Sequence, residues 1–325
     1  MKVLLTGAAG FIGSHLADRL CRDGHLVVGL DNFDPFYPRA CKQRNLAGLR
    51  DRASFLLHEG DLCAPADLQR ALAAAGGPVD VVIHLGALAG IAASLAAPER
   101  FFEVNVMGTL RLIEAARQSG VSRFLLASSS SVYGADSALP FREDAACASP
   151  LSPYAASKRA AELLAYSAHH LHRLAVTSLR FFTVFGPRQR PDLAIHKFSN
   201  LIARGEPIEL RGDGSSERDY TYVDDVVDGV MAALAQMLAD PLPRHRIYNL
   251  GGSKAVPLVR LVELLAEVLG TQPQIIWRPE RPEDLPRTLA DVGQARAQLG
   301  YEPKVSLQDG LARFAAWWRQ EPRPS

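Results

Sequence analysis

Gly7-Ala8-Ala9-Gly10-Phe11-Ile12-Gly13 stands between an apolar run, Val3 to Leu5, and a helix-like stretch, Ser14 to Cys21. Glycines at this spacing permit a tight turn, close approach of backbone to a pyrophosphate, and tight packing of helix on strand. The helix that follows turns free amides and a positive dipole end toward the anion. The second apolar run, His25 to Leu30, is closed by Asp31. A carboxylate there accepts hydrogen bonds from a ribose 2′-hydroxyl and repels a 2′-phosphate. The stretch therefore predicts a dinucleotide site in which Gly7, Gly10, Phe11, Ile12, Gly13 and Asp31 hold NAD in preference to NADP.

Outward from this turn the same rhythm continues. Ser54 to Leu57, Val79 to Leu85, Phe124 to Ala127 and Ala175 to Leu179 read as strands, and Ala66 to Ala75, Arg100 to Ser119 and Tyr154 to Leu171 as helices between them. Continuously apolar strands suit a parallel sheet covered on both faces. Strand–helix alternation predicts an α/β fold with a doubly wound parallel sheet, the Rossmann arrangement, whose ligands bind beyond the strand ends. After Phe181 the rhythm breaks: Pro187, Arg188, Arg190 and Pro191 crowd together. Helices at Val223 to Leu238 and Val256 to Leu269, and strands at Ile247 to Leu250 and Ile275 to Trp277, follow. The expected organisation is an NAD-binding domain of residues 1–180 plus about 220–250, and a smaller interleaved C-terminal substrate domain of about 181–219 plus 251–320.

Composition excludes several classes. In 325 residues, 48% hydrophobic and 22% charged, neither disorder nor a fibrous repeat is expected. Thirty-six Lys and Arg against 35 Asp and Glu leave a net charge of +1, with no dense basic run, so no nucleic-acid partner is expected. Cys21, Cys41, Cys63 and Cys147 show neither CxxC nor histidine grouping, so neither a metal site nor a disulfide framework is expected. Val81 to Ala97 is apolar, but His84, Gly86, Gly90 and Ser94 interrupt it and Pro98 ends it, so it reads as strand and loop instead of a membrane span. Met1 to Thr6 enters an apolar run without a basic leader, and the expectation is a cytoplasmic protein with no membrane partner.

Tyr154-Ala155-Ala156-Ser157-Lys158 puts Tyr and Lys on one face of a helix, and Ser128 to Ser131 follow a strand at the ligand edge. A tyrosine is a useful base only if its phenolate is stabilised, which an ammonium group and an oxidised nicotinamide both do. A serine hydroxyl can hold an alcohol oxygen and pass its proton to the tyrosine. This is hydride-transfer chemistry on a secondary alcohol. Asn32 beside Asp31, Asp61 and Leu62 after the third strand, and Leu85 after the fourth complete the expected cofactor lining. Asn105, within an otherwise apolar helix, is a candidate support for the active-site loop.

With these residues in view the chain resembles the extended short-chain dehydrogenase/reductase family, in its nucleotide-sugar epimerase branch. The resemblance runs from Lys2 to about Trp318, through Gly7 to Gly13, Asp31-Asn32, Ser128 to Gly134, Tyr154 to Lys158, Phe181 to Pro191, Arg218 to Asp225 and Asp284. It implies Ser129 as the catalytic hydroxyl, Tyr154 as base, Lys158 as the group orienting base and cofactor, and a homodimer built on the helices carrying Phe102, Val106, Leu163 and Tyr166. Dehydratases of the family carry Thr-Asp-Glu before Val-Tyr-Gly and uronate decarboxylases a glutamate; here Ser129-Ser130-Ser131 precede Val132-Tyr133-Gly134. Epimerisation at C4 of a UDP-sugar is what remains.

Arg180 to Asp192, with Thr183 in place of asparagine, and the Asp31 to Tyr37 stretch look like UDP-glucuronate 4-epimerases. On that resemblance Arg190 clamps a C6 carboxylate bidentately, with Ser130, Ser131 and Thr183 donating hydroxyl hydrogen bonds. Arg218 and Arg281 resemble the two arginines that grip the diphosphate, with Asp284 as a brace. Ile91-Ala92-Ala93-Ser94 departs from the Val-Arg-x-Ser of uronate epimerases. The alternatives are a 4-epimerase of UDP-glucose and UDP-galactose, or of N-acetylhexosamines, and behind it a UDP-glucuronate decarboxylase.

Overall fold

The computed structural model describes residues 1–280 and 284–321. Six strands, β1 (Lys2–Thr6), β2 (Leu26–Asp31), β3 (Phe55–Glu59), β4 (Val81–His84), β5 (Arg123–Ser129) and β6 (Ala175–Phe181), arise in the expected order. Beyond them come β7 (Thr183–Phe185), β8 (Ile208–Arg211), β9 (Glu217–Tyr222), β10 (His245–Leu250), β11 (Ala255–Pro257) and β12 (Ile275–Arg278). The central sheet has seven strands in the order β10-β6-β5-β4-β1-β2-β3, all parallel. The reversal of strand order beside β1 is the switch point at which such sheets open a ligand crevice.

Alternation explains why these strands are apolar throughout. Val3 and Leu5 enter one core, with Val81, Ile83 and Leu125, while Leu4 enters the other, with Val82, Phe124 and Leu126. A single parallel sheet thus separates two cores, and the apolar residues of its inner strands β1, β4 and β5 divide between them. The helix Phe11–Arg22 packs on the first core through Phe11, Leu16, Ala17 and Leu20.

The late segments build two small sheets, β11-β9-β7 and β12-β8, while β10 returns to pair with β6. Asp219 on β9 ties these pieces together. Its buried carboxylate accepts from the amides of Gly252 (2.6 Å), Ser253 (3.0 Å) and Ala290 (3.0 Å). Arg100 to Ser119, expected as one helix, is helical at Pro98–Phe102 and Gly108–Gln118 with a π-turn, Glu103–Met107, between them. No helix among the described residues is long and apolar enough to cross a membrane.

Candidate active site

β1 delivers the chain to Gly7, whose φ of +70° suits glycine alone, and where a Cβ would lie 2.8 Å from the Gly86 amide nitrogen. A Cβ on Gly13 would run into the Gly7 carbonyl oxygen. The helix Phe11–Arg22 begins without a side-chain cap, so its first amides are left for an anion. At the end of β2, buried Asp31 accepts from the amides of Ala9 (3.1 Å) and Phe33 (2.8 Å) and from Lys42 Nζ (3.1 Å). Asn32 donates to Asp61 (2.8 Å), which also receives the Cys63 amide (2.7 Å). This bare, narrow cradle with an acid at its rim fits NAD. Lys42 has no signal in the sequence, because only the fold carries a short downstream helix back against Asp31.

Ser129 lies where β5 ends, and Tyr154 and Lys158 lie in the first turns of the helix Pro153–His172. Ser152 caps that helix, its hydroxyl accepting the Ala155 amide at 3.2 Å, and Pro153 occupies the first turn, where a missing N–H costs nothing. Ser129 Oγ accepts from the amide (3.2 Å) and the hydroxyl (2.8 Å) of Ser131, which leaves its own O–H free to donate. Burial raises the Tyr154 pKa, while a hydrogen bond from Ser129 and the charge of Arg190 pull it back. Lys158 donates to the Ala127 carbonyl (2.9 Å), and burial pushes its pKa down to about 8 against the support of Glu162.

Two buried networks brace this triad. Asn105 grips the backbone of Leu88, accepting from its amide (2.8 Å) and donating to its carbonyl (2.9 Å), and reaches Ser157 Oγ at 3.0 Å. The π-turn places that amide group inward, so the expected support role has a geometry. Next to it, Thr109 donates to the Asn105 carbonyl (2.6 Å) and accepts from His84 Nε2 (2.9 Å). His84 Nδ1 accepts from Thr6 (2.7 Å), whose oxygen takes the Gly86 amide (3.0 Å). This directional chain assigns a neutral imidazole protonated at Nε2, and burial with Lys158 nearby pushes its pKa down to about 3.

At the other end Thr183 opens β7, and Arg190 lies over the Phe36 ring, 4.9 Å from its centroid. Arg190 is already engaged. Nε donates to Asp192 Oδ1 (3.0 Å), and Nη2 donates to Asp192 Oδ2 (2.6 Å) and to the Ala89 carbonyl (2.9 Å). One edge of the fork thus faces a protein carboxylate, which leaves Nη1 for a ligand. Arg218 donates to its neighbour's carbonyl at Glu217 (2.9 Å), and Asp284 lines the same cleft. Arg281 lies outside the described residues.

The other residues expected to bind cofactor or substrate line one cleft of about 1130 Å³: Gly7, Gly10 to Gly13, Asp31, Asn32, Asp61, Leu62, Leu85, Ser129 to Ser131, Tyr154, Lys158, Thr183, Arg190 and Arg218. The cleft runs from a glycine cradle, past a serine, tyrosine and lysine, to a cluster of arginines. It can hold a dinucleotide end to end with an anionic second ligand whose alcohol meets Tyr154.

Comparison with known proteins agrees with this arrangement. Residues 3–251 match a family described as the NAD dependent epimerase/dehydratase family. A Rhizobium meliloti (strain 1021) protein named "Probable UDP-glucuronate 4-epimerase" is 38% identical, over 99% of this chain and 98% of that one. A Bacillus cereus UDP-glucuronic acid 4-epimerase, solved with UDP-glucuronic acid and NAD, superposes with a TM-score of 0.91 at 34% identity, covering 98% of this chain and 99% of that one. A Thermotoga maritima UDP-glucose 4-epimerase, solved with UDP-glucose, follows at a TM-score of 0.87 and 30% identity, with the same coverage of 98% and 99%.

Proposed function

The chain belongs to the NAD dependent epimerase/dehydratase family, and from that premise we propose that it interconverts UDP-glucuronate and UDP-galacturonate by NAD-dependent epimerisation at C4. It is an isomerase. Gly7, Gly10 to Gly13 and Asp31 would hold NAD, which would supply the hydride acceptor, and in reduced form the donor, for chemistry at C4.

The chain's own residues manage the proton and the pose. Ser129 holds the C4 oxygen, and the Tyr154 phenolate takes the proton from it. Lys158 stabilises that phenolate, and the same tyrosine gives the proton back when the sugar has turned. Ser130, Ser131 and Thr183 hold the sugar's C6 end, and Arg218 and Arg281 hold the diphosphate.

The observation that carries the uronate reading is that well-buried Arg190 lines the same cleft as Ser129, Tyr154 and Thr183. Tyr154 works at C4, and C6 hangs from the adjacent C5, so a cation within reach of the base is within reach of a C6 carboxylate. The test is product analysis after separate incubation with UDP-glucuronate, UDP-glucose and UDP-N-acetylglucosamine. Turnover of UDP-glucuronate alone is expected; turnover of the neutral sugars alone gives the function to the hexose alternative.

The proposal includes a division into residues 1–180 plus about 220–250 for NAD and about 181–219 plus 251–320 for substrate. It also includes a homodimer. Exposed Phe102, Leu163 and Tyr166, with half-buried Val106, support pairing across a two-fold axis. A monomer mass by light scattering at micromolar protein counts against it. Four free cysteines, two of them buried, support a reducing, cytoplasmic location.

A further inference from the structure

Arg190 carries five N–H donors, and the fork formed by Nε and Nη2 is the edge that matches a carboxylate bidentately. That edge is closed by Asp192, and the second Nη2 hydrogen goes to the Ala89 carbonyl. Arg190 is well buried, with its side chain 13% exposed, while Asp192 is 41% exposed on the cleft wall. Asp192 also precedes the helix Ala194–Ala203, where an acid complements the dipole. That position accounts for an acid; it does not account for one that closes the fork of an arginine lining the same cleft as Tyr154.

Epimerisation makes opposite demands on the sugar's C6 end. The carboxylate must be attracted, yet the ring must turn between loss and return of hydride so that both faces of C4 are presented. A two-point clamp on C6 would meet the first demand and oppose the second.

We propose that Asp192 is a positioning residue that occupies the bidentate edge of Arg190, so that a substrate carboxylate meets only Nη1 and is held at one point while the sugar turns. The inference rests on the reading of Arg190 as the partner of a uronate carboxylate. It assigns to Asp192 the setting of how tightly a UDP-uronate is held, with little effect on neutral UDP-hexoses.

Asp192→Asn removes the charge and one acceptor from the fork. Binding is measured by calorimetry on the NAD-loaded enzyme in a Tyr154→Phe background, where turnover does not interfere. UDP-glucuronate should bind at least about fivefold more tightly, as expected when a charge-assisted hydrogen bond becomes available, while UDP-glucose changes less than about twofold. With Tyr154 intact, kcat on UDP-glucuronate should fall, and the near-ultraviolet absorbance of reduced nicotinamide at steady state should rise, because the ketone waits longer to turn. Asp192→Ser, which opens the same edge, should move both readouts in the same direction.

The inference is overturned if UDP-glucuronate binding is unchanged or looser, if both sugars tighten equally, or if tighter binding comes without loss of kcat. Arg190→Ala separates this from the reading beneath it. If that variant weakens UDP-glucuronate and UDP-glucose equally, the carboxylate reading itself fails. If it is selective while Asp192→Asn behaves as wild type, only the role of Asp192 fails.

Discussion

Glu162 and Arg180 close a bidentate ion pair, with Nε to Oε1 and Nη2 to Oε2 both at 2.9 Å, in which each side chain is at most 2% exposed. Burial alone would raise the Glu162 pKa; Arg180, Ser128 and Arg159 together hold it below the usual range. The pair fastens the reactive elements to each other. Glu162 accepts from Ser128 (2.6 Å), next to Ser129, and stands one helical turn beyond Lys158. Arg180 lies over the Tyr133 ring, whose hydroxyl donates to Asn249 at 2.6 Å.

Glu162→Gln should therefore move the alkaline side of the pH–rate profile. The carboxylate favours the charged form of Lys158, whose pKa is already pushed down to about 8. Without it the ammonium loses its proton at lower pH, so activity at pH 8 should fall more than activity at pH 7. An unchanged profile would detach Glu162 from Lys158. Arg180→Met is a harsher change: it leaves Glu162 buried without its main partner, which typically costs ~3–5 kcal/mol, readable as a lower urea midpoint.

Tyr154→Phe should remove the proton acceptor and little else. The ring's edge-on contact with Phe101, centroids 6.2 Å apart, is retained, so the helix should stay in place. Loss of a general base costs ~10²–10⁴-fold in rate, and NAD binding should be nearly intact by calorimetry. Undiminished turnover would take Tyr154 out of the reaction.

His84 should set part of the acid limit of stability. Its imidazole is locked neutral, with a pKa of about 3 in the fold against 6.5 in an unfolded chain. The unfolded state therefore binds the proton more readily, and the stability His84 contributes, complete above pH 6.5, is lost progressively as pH falls toward 3. Over that window the linkage amounts to at most roughly 5 kcal/mol. His84→Asn should be less stable than wild type near neutral pH but lose less between about pH 6 and about pH 4 in urea unfolding. Parallel losses in the two proteins would mean that other groups govern acid unfolding.

The parts of this site legible in the sequence are those whose geometry is local. Gly7 to Gly13 encode a turn by their own backbone freedom, and Tyr154 and Lys158 share a helix face by spacing alone. Lys42 and Asp192 escaped a functional reading because their meaning lies in a partner: Asp31 across a loop for one, the fork of Arg190 for the other. The π-turn at Glu103–Met107 escaped for a different reason, since one wide turn barely disturbs a 3.6-residue pattern. β7, β8 and β9 are short strands of small sheets, and β9 mixes charged and aromatic residues in Glu217–Tyr222, so neither apolar continuity nor clean alternation marks them.

Arg190→Ala is the variant that decides the substrate. With its bidentate edge closed by Asp192, Arg190 offers a uronate the Nη1 donors, and a hydrogen bond to a charged group contributes about 1.5–3 kcal/mol. That corresponds to a loss of about one to two decades in kcat/KM on UDP-glucuronate, while UDP-glucose, which has no carboxylate, should lose much less. The product mixture carries a second signature. The 4-ketone of a uronate is a β-keto acid, and it loses CO₂ when its carboxylate bond aligns with the carbonyl π system. A side chain that holds the carboxylate out of that alignment suppresses the loss, so the turnovers that survive in Arg190→Ala should release more UDP-pentose and CO₂ than wild type. Equal losses on both sugars would assign Arg190 to the diphosphate or to the fold, and an unchanged product ratio would show that Ser130, Ser131 and Thr183 suffice to fix the carboxylate.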